Sequence, residues 1–209
     1  MVIKEIEGGV TIHRVTDEAS QNRWSDSLIA AYHTVFSGFP YFESYTDEEV
    51  RSTLEALWRS PGGIFLVAAI GDDVAGFSAA IPLIRKASVA NQLTGLVPIQ
   101  HTFYLAELGV LPQYRGRKIG RNLVRERLRL IDQDQYSHVV LRISTDNTPS
   151  GEMYKALGFF DMGVTMRVNR RRQNNEVRED ERQFLSRVLS QVPMATEEMD
   201  LANIPNDLL

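Results

Sequence analysis

The sequence predicts a mixed α/β domain, on three observations. Short apolar runs of strand length alternate with stretches whose apolar residues recur at helical spacing. The runs "IFLVAAI" and "VAGFSAAIPL" flank "GDD", which makes a hairpin. The elements then follow in the order β α α β β β α β α β.

Taken in order, "VTIHRV" (10–15) alternates and is predicted as the first strand. Trp24, Leu28, Ala31, Tyr32 and Val35 mark an amphipathic helix from about Trp24 to Phe36. The aromatic loop "SGFPYFESY" (37–45) follows. Thr46 then has the chemistry of an N-cap, with Asp47, Glu48 and Glu49 in the first turn of a helix that runs to about Arg59. After the hairpin, 85–100 has no period and is predicted as an insertion loop. "HTFYLAELGV" (101–110) is the fourth strand. The next helix places Ile119, Leu123, Val124, Leu128 and Ile131 on one face. "HVVLRIS" (138–144) is the fifth strand, "PSGEMYKAL" (149–157) a short helix stopped by Gly158, and 159–169 the last strand. Beyond it, "EVREDERQFLSRVLSQV" (176–192) is predicted as one amphipathic helix with Phe184, Leu185, Val188, Leu189 and Val192 on one face. The expected division is therefore a domain over 1–169 and a C-terminal arm over 170–209.

Bulk properties narrow the function. Net charge is −4 over 209 residues, which argues against a general affinity for nucleic acid or an anionic membrane. No cysteine occurs, so disulfides, thiolate metal ligands and a cysteine nucleophile are excluded. Four scattered histidines lack ligand spacing, and no metal is expected. The N-terminus "MVIKEIEGGVTIHRV" shows no signal peptide, and the apolar runs fall short of the roughly 20 residues a membrane helix needs, so the expected location is the cytoplasm.

Within this acidic chain, "VLPQYRGRKIGRN" concentrates four cations around two glycines between a strand and a helix. A helix start offers unpaired N–H groups and a positive dipole end, both suited to pyrophosphate. The stretch matches neither the G-x-x-x-x-G-K-[ST] loop nor the dinucleotide G-x-G-x-x-G pattern.

Val110, Pro112, Arg115, Gly116, Ile119 and Gly120 resemble the coenzyme A-binding signature of the GNAT superfamily of N-acetyltransferases, V-x-P-x-x-R-G-x-G-[IL]-G. Position 118 departs, with Lys118 where the family has glycine; a side chain is accommodated there if φ is negative. Downstream, "DNTPSGEMYKALGFF" is similar to a second family segment through Asn147, Ser150, Tyr154, Leu157, Gly158 and Phe159. The likeness covers about 10–169.

That resemblance implies a GNAT-like, mostly antiparallel central sheet whose fourth and fifth strands splay apart, flanked by helices; the C-terminal helical arm lies outside it. It implies acetyl-CoA in the wedge, with the strand backbone at Leu108 and Val110 pairing with pantetheine. The pyrophosphate would lie on the N–H groups of Arg115, Gly116, Arg117, Lys118, Ile119 and Gly120, with Arg121 alongside, and Asn147 and Ser150 would reach the pantetheine end. Glu107 would be the general base and Tyr154 the general acid, with the Val110 amide polarising the carbonyl. The acceptor is expected to be a primary amine of a small molecule or peptide, attacking in a ternary complex.

Plainer readings stand beside these: a solvated basic helix start for the turn, a packing role for Tyr154, a structural or exposed carboxylate for Glu107. The aromatic run with Glu43 at its edge is expected either to border an acceptor with hydrophobic bulk or to pack a helical hairpin. A non-catalytic acyl-CoA-binding sensor or scaffold is the alternative function, and transfer of another acyl group a further one. The arm needs a partner surface, on its own domain or in a homodimer.

Overall fold

The computed structural model describes residues 1–189. Its strands are β1 (Val2–Ile6), β2 (Val10–Arg14), β3 (Ile64–Ile70), β4 (Asp73–Pro82), β5 (Thr102–Val110), β6 (His138–Ser144), β7 (Phe160–Arg171) and β8 (Val177–Val188). The helices are α1 (Glu18–Phe36), α2 (Asp47–Trp58), α3 (Ala87–Leu93), α4 (Ile119–Leu130) and α5 (Thr148–Ala156). The strands form one sheet in the order β1-β2-β3-β4-β5-β6-β8-β7. Among the described residues only β5 and β6 run parallel.

Each face of the sheet carries its own core. Trp24, Leu28, Tyr32, Val35 and Phe36 of α1 pack with α2 and α3 on one face, over Val67, Phe77 and Tyr104. On the other face Ile119, Leu123, Val124 and Leu128 of α4, with Tyr154 of α5, cover Leu66, Phe103 and Leu141. Because both faces are covered, β3 reads as an unbroken apolar run rather than an alternating one.

Local chemistry sets the ends of three helices. Asp17 and Ser20 cap α1 reciprocally, Thr46 and Glu49 do the same for α2, and the Asn147 side chain caps α5. The α2 boundaries thus coincide with the sequence reading, whereas α1 begins at Glu18, earlier than the expected Trp24.

Three expectations are corrected. Val2–Ile6 form an extra edge strand, short and without a buried residue, that the sequence reading does not include; the fourth and fifth strands of the sequence reading are therefore β5 and β6. The stretch 85–100 is not structureless, since α3 buries Val89, Ala90 and Leu93. The largest difference is at the C-terminus, where 177–188 is not a helix but β8, paired antiparallel with β6 and β7. Phe184 enters the core on one face and Leu185 the core on the other. A strand covered on both faces buries adjacent residues, and adjacent apolar pairs four apart also satisfy a helical period. The arm's partner surface over 177–188 is its own sheet, the 169/170 division falls inside β7, and Val192 lies outside the described residues.

Candidate active site

The parallel pairing of β5 with β6 covers only Thr102–Tyr104 against His138–Val140. Beyond it β5 stays with β4 and β6 stays with β8, so a gap opens between them. Leu111 N–H bonds back to Ala75 O at 3.0 Å. Since hydrogen-bonding direction alternates along a strand, the peptide groups of Leu108 and Val110 turn toward the gap. Opposite Phe77, Gly109 admits no side chain, as a Cβ there would lie 2.6 Å from the Phe77 ring.

At the gap's outer end stands α4. Its N-terminus has no side-chain cap, unlike those of α1, α2 and α5. The first N–H groups of α4 therefore remain open to an anion. The turn before it needs two left-handed residues: Gly116 at φ 80° and Lys118 at φ 60°. Lys118 thus adopts the conformation that glycine favours, and the condition of a negative φ is not met. Arg117 stacks over the Tyr114 ring at 5.6 Å, and Arg115 Nε donates to Val110 O at 3.2 Å, which ties the turn to the end of β5. Lys118 is exposed and Arg121 half-buried, while Ile119 is a core residue and Gly120 abuts Val110 and Met153. The open amides, with Lys118 and Arg121 beside them, suit an anion.

Glu107 owes its direction to a bulge. The register of β4 on β5 shifts between Ala79–Glu107 and Ala80–Leu105, so Ala106 is the extra residue. Ala106 and Glu107 consequently both line one cavity on the α1–α2 side, of about 410 Å³. Burial raises the Glu107 carboxyl to about 7, and the Glu43 carboxylate adds to the rise. Across the sheet Tyr154 is buried edge-to-face on Phe159, with ring centroids 5.3 Å apart. Burial raises its phenol, and the Arg127 guanidinium beside it pulls the other way.

Arg127 was not singled out by the sequence reading. It is fully buried, and its Nη1 donates to Ala79 O at 3.0 Å and Glu107 O at 2.9 Å, so one guanidinium joins the bulge to Tyr154. The signal was present: Arg127 lies four residues after Leu123 and eight after Ile119, on the apolar stripe of α4. The Asn147 side chain is engaged at both ends. The Asn147 carbonyl accepts from Ser150 N at 3.3 Å, and its Nδ2 donates to Tyr41 Oη at 2.7 Å.

The aromatic loop divides. Phe36, Tyr45 and Glu43 line the cavity, while Phe39 and Phe42 are exposed. Glu43 is buried, accepts from the Tyr45 hydroxyl, and pairs with Arg182 at 2.7 Å and Arg170 at 3.6 Å. Arg182 also meets Asp180 at 2.6 Å. These cations come from β7 and β8, outside the stretches the sequence reading linked to chemistry.

A family model described as the acetyltransferase (GNAT) family matches residues 28–159, more than half of the chain. This chain belongs to the GNAT acetyltransferase family. Among its relatives, mycothiol acetyltransferase of Acidothermus cellulolyticus is 27% identical over 147 residues, 69% of this chain and 44% of that protein. N-alpha-acetyltransferase RimI of Mycobacterium tuberculosis is 40% identical over 63 residues, 30% of this chain and 38% of its own. The chain thus aligns with less than half the length of these curated relatives. In fold it is similar to a ribosomal-protein-alanine N-acetyltransferase from Brucella melitensis, with a TM-score of 0.62, 21% identity, and coverage of 85% of this chain and 99% of that one. No described helix is long and apolar enough to cross a membrane.

Proposed function

We propose that this GNAT chain transfers an acetyl group from acetyl-CoA to a primary amine of a small molecule or peptide, with both substrates bound together. What supports this reading is that Glu107 lines the cavity on one face of the sheet while Tyr154 is buried on the other, with the Arg127 guanidinium holding the Glu107 carbonyl and lying beside the Tyr154 hydroxyl. The uncapped α4 terminus with Arg121 and Lys118 suits the pyrophosphate, and the peptide groups of Leu108 and Val110 suit the amide-bearing pantetheine arm. Acetyl-CoA supplies a thioester carbonyl open to attack by an amine.

The rest of the chemistry falls to the chain. An alkyl ammonium of pKa about 10 must lose a proton before it can attack. Glu107, at about 7, takes a proton near neutral pH directly or through one water. Tyr154 is kept protonated by burial and gives its proton to the departing sulfur. Arg127, beside that hydroxyl, favours the tyrosinate that results. With its carbonyl held by Arg115, Val110 keeps its N–H toward the gap, where a developing oxyanion would lie.

Incubation with acetyl-CoA and a panel of amines, read by free-thiol release and the mass of the product, tests this. Acetylated amine from the wild type, and its loss in Tyr154→Phe with acetyl-CoA still bound, is the expected result. Binding of acetyl-CoA with no acceptor consumed would favour the sensor role instead.

A further inference from the structure

The cavity beside Glu107 carries more positive charge than acetyl transfer requires. Five cationic side chains line it, Arg85, Lys86, Arg142, Arg170 and Arg182, against two carboxylates, Glu43 and Glu107. Two of the five are neutralised within the protein: Arg170 and Arg182 both meet Glu43, and Arg182 also meets Asp180. The other three differ. Among the described residues, no carboxylate lies within 4.0 Å of Arg85, Lys86 or Arg142. The contacts of Arg142 are neutral, Met166 Sδ at 3.2 Å and the Tyr104 hydroxyl.

Coenzyme A does not account for this charge. Its nucleotide fits the basic turn before α4, and no residue from 115 to 121 lines the cavity. A bound ammonium does not account for it either: Glu107 faces Arg142 and Lys86 only at longer range, and three cations without an ion pair of their own repel an ammonium. Between the charges, Tyr32, Phe36 and Tyr104 give flat apolar surface, and about 410 Å³ suits a small molecule.

We infer that the acceptor is a small amine that also bears a carboxylate, held by Arg142 within the cavity and by Arg85 and Lys86 at its mouth, with the amine directed to Glu107. This rests on the acetyl-transfer reading, which makes the cavity the acceptor's. Planar guanidinium groups bind carboxylates in two parallel hydrogen bonds, which fixes the orientation of the attached amine. Polyamines, which bring only positive charge, are poor acceptors.

The test compares two product-like probes by calorimetry in the presence of CoA: N-acetyl-L-phenylalanine, and N-acetylphenethylamine, which lacks the carboxylate. At least tenfold tighter binding of the carboxylate, reduced by Arg142→Gln and separately by Lys86→Met at an exposed position, is expected. Equal affinity, tighter binding of the neutral amide, or binding of neither overturns the inference. Thiol release with phenylalanine and phenethylamine runs in parallel. A carboxylate preference in binding without any thiol release supports the anion site and counts against acetyl transfer.

Discussion

In the proposed mechanism Glu107 takes a proton and Tyr154 gives one, and burial raises both the carboxyl of the first and the phenol of the second. Burial lifts Glu107 to about 7, so a base with this residue in the role becomes competent as pH rises through about 7. The kcat/KM profile is expected to climb across that range, and Glu107→Gln to flatten it while lowering the rate on the order of 100-fold. Stability responds with the opposite sense. A carboxyl raised above its ordinary 4.5 contributes stability below that value and loses it as pH rises through about 7. Glu107→Gln should therefore raise the unfolding temperature more at pH 8 than at pH 5, as scanning calorimetry at the two pH values would reveal. For Tyr154→Phe, turnover is expected to fall on the order of 100-fold or more with little change in acetyl-CoA Kd. An equal loss of affinity would assign Tyr154 to packing alone. Both positions are candidates from the sequence alone, Tyr154 through the segment around it and Glu107 through its place three residues before Val110. Arg127 was not, because a cation on an apolar stripe shows its purpose only when the bulge at Ala106 supplies the carbonyls it binds.

Among the described helices, α4 alone of the four longer ones lacks a side-chain cap, which leaves its first N–H groups open to an anion. Its entry turn bears the strain of Lys118 at φ 60°. A left-handed residue with a side chain costs about 1 kcal/mol. Lys118→Gly should thus raise the unfolding temperature by roughly 2–4 °C. The open amides would still hold the pyrophosphate, so acetyl-CoA affinity should drop by less than tenfold. Thermal denaturation beside a binding titration checks both, and a lowered melting temperature would contradict the strain. Helix α2 was readable to the residue because Thr46 and Glu49 cap it through local chemistry alone. The β8 strand was not readable, since "FLSRVL" satisfies a helical stripe as well as a two-faced strand. Its pairing with β6 is a tertiary fact, and β1 likewise exists only because β2 offers an edge.

Across the whole molecule, β8 decides whether the sheet is complete. It joins β6 to β7 and carries Arg182 into the Glu43 ion pair, so chain near the C-terminus helps to wall the cavity. Deleting 176–209 should therefore unfold the protein rather than release an independent arm. Phe184→Ala should cost about 3–5 kcal/mol, measurable by denaturant unfolding. A stable, cooperatively unfolding 1–175 fragment would contradict the topology. The general plan of the sheet and the phosphate turn follows from motifs in the middle of the chain. The charge of the cavity does not, because its cations come from segments far apart in sequence. Central to the account is that the β5–β6 gap and the uncapped α4 terminus form an acetyl-CoA site. Titration calorimetry of the full chain with acetyl-CoA tests it most directly. One saturable site with micromolar affinity, weakened at least tenfold by Arg121→Glu, is the predicted result. No binding by a sample that unfolds cooperatively would contradict it.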